Sequence, residues 1–146
     1  MNTVASNRSA ATFDRSAPVS GVRKLAELAG RILLSGLFLV SGFGKIGAYG
    51  GTLAYMASQG VPGALLPAVI ATEVLGAFAI VAGWKTRIVA ALLAGFTLVT
   101  AFVFHRNFGD PIQMLMFLKN VSISGGFLLL AANGAGTLSI DRRLQR

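Results

Sequence analysis

Residues 25–44 read "LAELAGRILLSGLFLVSGFG", a run of 20 in which Glu27 and Arg31 are the only charges. At a rise of 1.5 Å per residue, a helix of that length crosses a hydrocarbon core of about 30 Å. Three later runs have the same character: 65–83 "LLPAVIATEVLGAFAIVAG", 87–104 "RIVAALLAGFTLVTAFVF" and 111–132 "PIQMLMFLKNVSISGGFLLLAA". The chain has 146 residues, 54% hydrophobic and only 12% charged, with a mean hydropathy of +0.70. Its apolar residues come in long blocks rather than in alternation, the pattern of membrane helices. The sequence therefore reads as an all-α integral membrane protein, a four-transmembrane-helix antiparallel bundle spanning residues 25–140. Residues 1–24, polar, Ser-rich and basic, read as a disordered tail, and residues 141–146 as a basic C-terminal tail.

The span boundaries carry their own chemistry. Asp110-Pro111 supplies an N-cap and a proline at the first helical position, where no amide hydrogen is needed. Pro67 suits the first turn of the second span. Gly83 closes that span, Trp84 fits the headgroup level, and Thr86 is a candidate cap for the third. Asn133-Gly134 ends the fourth. A cleaved secretory signal is disfavoured, because the first apolar run exceeds an ordinary h-region and lacks an A-x-A exit. The tail composition, Arg- and Ser-rich with only Asp14 acidic, also fits a mitochondrial transit peptide.

Charge placement sets an expected orientation. Arg8, Arg15, Arg23, Lys24, Lys85, Arg87, Arg142, Arg143 and Arg146 fall on one side of a four-span chain, against Lys45 and Arg106 on the other. The positive-inside rule then puts both termini in the cytoplasm. The net charge of +8 does not imply nucleic-acid binding, because the cations gather at the ends and in one turn, not along an exposed stripe. The absence of cysteine excludes disulfides, thiol chemistry, Fe–S clusters and covalent haem attachment. His105 alone, with Glu73 and Asp110, does not make a usual metal ligand set.

Residues 45–64, with Tyr49, Tyr55 and Met56, form an unusually long joint between the first two spans. They suit either an amphipathic segment along the interface or a surface loop with aromatic anchors. Four ionisable residues converge at that end of the bundle. Lys45 ends the first span and His105 the third. Glu73 lies about 9 Å inside the second span, counted from Pro67, and Lys119 about 12 Å inside the fourth. Since the spans alternate in direction, all four fall in the outer half of the membrane. A charge at mid-bilayer costs about 2.5 kcal/mol or more, so grouping is expected, with Glu73 offsetting Lys119 or Lys45. Lys45 and His105 are also within reach of headgroups, and Arg31 reads as a snorkelling side chain on the cytoplasmic side. Glu73 and Lys119 are too deep for that, and read as a structural ion pair or as part of a ligand or proton site.

Helical spacing supports inward faces. Arg31, Ser35, Phe38, Gly42 and Lys45 share a stripe on the first span, and Thr97, Ala101 and His105 on the third. Lys119, Ser122 and Gly126 do so on the fourth, and Ala68, Thr72 and Gly76 form a small-residue stripe on the second.

The patterns "GRILLSGLFLVSGFGKI" (30–46), "TEVLGAFAIVAGWKTR" (72–87), His105 after the third span and "FLKNVSISGGFLLL" (117–130) together resemble the DoxX family of small bacterial membrane proteins. The resemblance runs over about residues 25–140. It implies a four-helix protein of the bacterial cytoplasmic membrane. It further implies a subunit of, or partner to, a quinone-linked oxidoreductase, since some members are described so, including one acting on thiosulfate. Family residues carry over at most onto Arg31, Lys45, Glu73, His105 and Lys119. Lys45, Glu73, His105 and Lys119 are thus the expected substrate-binding set, and a quinone the expected cofactor. With no protein thiol, any redox step must use a bound organic cofactor or a partner protein. Two other readings stand beside this one. A non-catalytic assembly or anchoring subunit fits the small-residue faces, and an anion or weak-acid transporter fits the positive outer cluster. Four spans make a narrow bundle, which argues against the transporter, although a homo-oligomer could build a pore.

Overall fold

A computed structural model describes residues 21–145. The chain is an integral membrane protein with four membrane-spanning helices, and the described residues contain no strand. The spans are α1 (Gly21–Gly47), α3 (Leu66–Ala82), α4 (Thr86–Phe104) and α5 (Pro111–Asn133), with α2 (Tyr49–Ser58) and α6 (Ile140–Leu144) short. A 3₁₀ turn, Gly63–Leu65, leads into α3. Helix α1 starts at Gly21, so 21–24 continue the first span rather than the tail, whose remainder lies outside the described residues. The long joint contains a helix, α2, whose Met56 is buried.

Helix ends follow local chemistry. Asp110 accepts the Ile112 amide at 2.8 Å ahead of Pro111, as expected of an N-cap. At the end of α3 the Trp84 amide reaches back to Ala79 O at 2.9 Å and Gly83 N–H to Ile80 O at 3.1 Å. That double closure needs a left-handed residue, which Gly83 supplies with φ +69°. The expected cap at Thr86 is not used. The amides of Lys85 and Thr86 donate instead to the Asp141 carboxylate, at 2.7 and 2.9 Å. The cap of α4 thus comes from α6, a segment 55 residues further on. The polar stretch after Asn133 is a docked segment, with Ser139 capping α6 through the Arg142 amide at 3.2 Å.

Helix α1 packs along α3 and α5 along α4, while α1 and α5 hardly meet. The buried residues of α1 are Arg31, Ser35, Phe38 and Gly42, the stripe its spacing indicates. On α4 Thr97 and Ala101 are buried as expected. On α3 the buried face is Leu66, Glu73, Ala77 and Ile80, whereas Ala68 is exposed. The small-residue stripe proposed there contributes only through Gly76, which meets Leu93. On α5 the buried residues are Ser124 and Phe127, and Ser122 turns out to bond Leu118 O instead. A small core joins Phe38, Ala77, Ile80, Ala90, Leu93, Ala94 and Phe127, with the Phe38 and Phe127 rings edge to face at 5.3 Å. The outside is apolar: Leu33, Val40, Leu75, Leu92 and Leu129 are all more than half exposed, as lipid-facing positions must be.

Arg31 is the largest difference from the sequence reading. It does not snorkel; it is 1% exposed. Its guanidinium donates to Val81 O at 3.0 Å, to Ile80 O at 3.3 Å and to Leu138 O. The last carbonyls of a helix have no partner inside it, and five N–H donors in a planar fork suit such a cluster.

Candidate functional site

A cavity of about 380 Å³ opens at the Lys45/His105 end of the bundle. Its walls are apolar, from Leu37 and Phe38 on α1, Val69 on α3, Phe96 and Val103 on α4, and Ile123 on α5. All four residues singled out by depth and topology, Lys45, Glu73, His105 and Lys119, line it.

Glu73 is the most buried charge of this cavity, 5% exposed. Its partner is Lys45, not Lys119: the Lys45 ammonium donates to Glu73 Oε1 at 2.8 Å and Oε2 at 2.9 Å. Ser41, one turn before Lys45, accepts from the same ammonium at 2.6 Å and donates to Glu73 Oε1 at 3.2 Å. Close approach of the two helices makes this possible. A Cβ on Gly42 would sit 2.6 Å from Val74 Cγ2 and 3.4 Å from Glu73 Cβ. The pair thus ties α1 to α3 with both carboxylate oxygens used, and Lys45 does not need headgroups to satisfy its charge.

Lys119 sits at the exposed edge of the cavity on α5. Its ammonium meets the Met116 thioether at 3.1 Å, a weak acceptor, and forms no ion pair with any described residue. His105 Nδ1 lies 2.8 Å from Gln113 Oε1. With that oxygen accepting, the ring proton sits on Nδ1 and leaves Nε2 free toward other groups.

Sequence reasoning missed several lining residues. Ser41 was findable, because a hydroxyl four residues before Lys45 must share its face. Asn120 adjoins Lys119, and Thr100 lines the cavity from α4 beside Thr97, which its spacing already places on the inward face. Thr52 and Tyr55 come from α2, where the Tyr55 ring stacks on Phe104 at 5.5 Å and 25°. Among the phenylalanine rings at this end, Phe38 lines the cavity. Phe43 is half exposed elsewhere, and Phe117 packs edge-on against Phe102 and Phe108. Among the described residues no three His, Asp or Glu side chains gather as a metal set.

The family model for DoxX matches residues 26–106, which covers α1 to α4 and stops before α5. Inner membrane protein YqjF of Escherichia coli strain K12 is 54% identical over 119 residues, covering 82% of this chain and 92% of its own. Inner membrane protein YphA of the same strain is 44% identical over 128 residues, covering 83% of this chain and 91% of its own. No solved structure matches. With relatives in the inner membrane and four spans of its own, the chain is a multi-pass inner-membrane protein, and it belongs to the DoxX family.

Proposed function

We propose that the cavity is a quinone site, and that the protein serves as the quinone-facing or accessory component of a membrane oxidoreductase system. One observation carries this: a cavity of about 380 Å³ with largely apolar walls also presents Lys119, Tyr55, Asn120 and His105. A quinone head is flat and apolar, with two carbonyl oxygens that accept hydrogen bonds. Lys119, Tyr55 and Asn120 line the cavity, and their ammonium, hydroxyl and amide groups are donors of the required kind. When bound, a quinone would supply two-electron, two-proton redox chemistry. The chain's own part is to hold the ring between apolar walls and its oxygens near fixed donors, with positive charge where negative charge develops. His105, with Nε2 unengaged by the Gln113 contact, is the group suited to exchange protons at the membrane surface. Loose contact between α1 and α5 favours entry sideways from the bilayer, in which quinones dissolve.

In this reading Lys45 and Glu73 have a holding role, since they satisfy each other. Lys119 faces the ligand. The test is equilibrium binding of a short-chain benzoquinone to purified protein in nanodiscs, with native mass spectrometry of protein extracted from membranes. The expected result is a retained quinone and an affinity at least tenfold weaker in Lys119→Met. Absence of binding, or equal affinity in wild type and Lys119→Met, overturns it.

The Lys45–Glu73 lock favours one further reading, a non-catalytic anchoring subunit in which the ion pair only holds helices together. Loss of a second membrane or peripheral protein on deletion, with no quinone bound, would select that reading.

A further inference from the structure

A second cavity, about 470 Å³, lies at the opposite end of the bundle, among the start of α1, the α3–α4 turn and the segment after α5. Arg23, Lys85, Arg87 and Arg142 line it, with Glu27 and Asp141 as its acids. Both acids are already engaged. Glu27 bonds Arg23 at 3.0 Å and faces the Thr137 amide at 3.4 Å. Asp141 uses both oxygens on the Lys85 and Thr86 amides. Lys85, Arg87 and Arg142 have no ion pair among the described residues.

The cations are also held in place. Lys85 has φ +46°, the one described non-glycine residue with positive φ, a conformation that persists only where its surroundings enforce it. Its ammonium lies 5.2 Å over the Trp84 ring. Trp84 is half exposed at the end of a span, where indole rings sit at headgroup level. The Arg87 guanidinium lies against Gly134, 3.4 Å from where a Cβ would project.

We propose that this pocket binds the phosphate of an anionic phospholipid headgroup from the leaflet on the side of the termini. Lys85, Arg87 and Arg142 outnumber Asp141, the one acid of the pocket not paired with Arg23, and this excess of positive charge calls for an anion with several acceptor oxygens, which a phosphate diester provides. The location at the end of a span supplies it from the lipid. Nothing in this inference depends on the quinone reading.

The experiment uses full-length protein in nanodiscs of phosphatidylcholine carrying 10% phosphatidylglycerol, with native mass spectrometry counting retained lipid. Wild type is expected to retain phosphatidylglycerol well above its share of the bilayer. The Arg87→Gln/Arg142→Gln variant should lose that preference at least tenfold, Arg87→Lys/Arg142→Lys should keep most of it, and Arg106→Gln at the other end should not change it. Thermal unfolding in pure phosphatidylcholine controls for folding of the double variant. Retention of the two lipids in bilayer proportion, or unchanged preference in the Gln variant, overturns the proposal. So does a result in which millimolar inorganic phosphate stabilises wild type in phosphatidylcholine while phosphatidylglycerol does not, since the source is then a free anion.

Discussion

Lys45, Ser41 and Glu73 define the residue scale. Taking one partner from a buried ion pair strands the other and typically costs about 3–5 kcal/mol, whereas removing both is far milder. Lys45→Met should accordingly lower the thermal unfolding midpoint in detergent more than Lys45→Met/Glu73→Gln does. A double variant no better than the single would show that the pair does not hold α1 to α3. Lys119, in contrast, forms no ion pair among the described residues, so Lys119→Met should leave the unfolding free energy within about 0.5 kcal/mol of wild type. Depth counting put these side chains in one place correctly, because topology and helical rise alone decide depth. It did not decide pairing. Which lysine meets Glu73 depends on how closely α1 and α3 approach at Gly42, a property of packing rather than of spacing.

At the scale of elements, two contacts decide how helices are joined. A methyl group at position 42 meets the Val74 side chain at 2.6 Å, and overpacking of that kind costs about 1–3 kcal/mol. Gly42→Ala is therefore expected to lower the unfolding free energy by that amount and to widen the α1–α3 spacing. The second contact is the Asp141 cap on α4. Partial burial disfavours its ionised form. The Thr86 and Lys85 amides and the nearby Arg31 charge outweigh that, and hold its carboxyl below the ordinary carboxylate range. A lowered carboxyl contributes stability that is complete above its unfolded value, near pH 4, and is lost as pH falls through the folded value. Asp141→Ala should cost about 1–2 kcal/mol at pH 7. Unfolding curves of wild type and variant should converge as pH drops below about 4; parallel curves across that range would mean that the cap contributes nothing. This cap was invisible in the sequence, since residue 141 sits in a stretch that looks only basic and polar.

For the whole molecule, the four spans were legible within a few residues because hydrocarbon thickness fixes their length and proline and glycine mark their ends. The faces on α1 and α4 were legible too. Those on α3 and α5 were less so, because small residues occur on their lipid-facing sides as well as inside, and composition cannot tell the two apart. Orientation rests on the charge asymmetry, which supports cytoplasmic termini. The absence of native cysteine makes this simple to test. Ser58→Cys on α2 should react with a membrane-impermeant maleimide in intact cells, and Leu144→Cys only after lysis. The reverse pattern would invert the topology and put the cavity of Lys45, Glu73, His105 and Lys119 at the cytoplasmic face.

Arg31 has one more consequence, for biosynthesis. Its acceptors are Ile80, Val81 and Leu138, the last of them 107 positions downstream. While the polypeptide is being made, this guanidinium can find the first two once the second span has entered the bilayer, but the third only after all four are threaded. The bundle is therefore fastened from its newest segment back to its oldest, and a nascent chain stalled before residue 138 holds an incompletely bonded arginine inside its first hairpin.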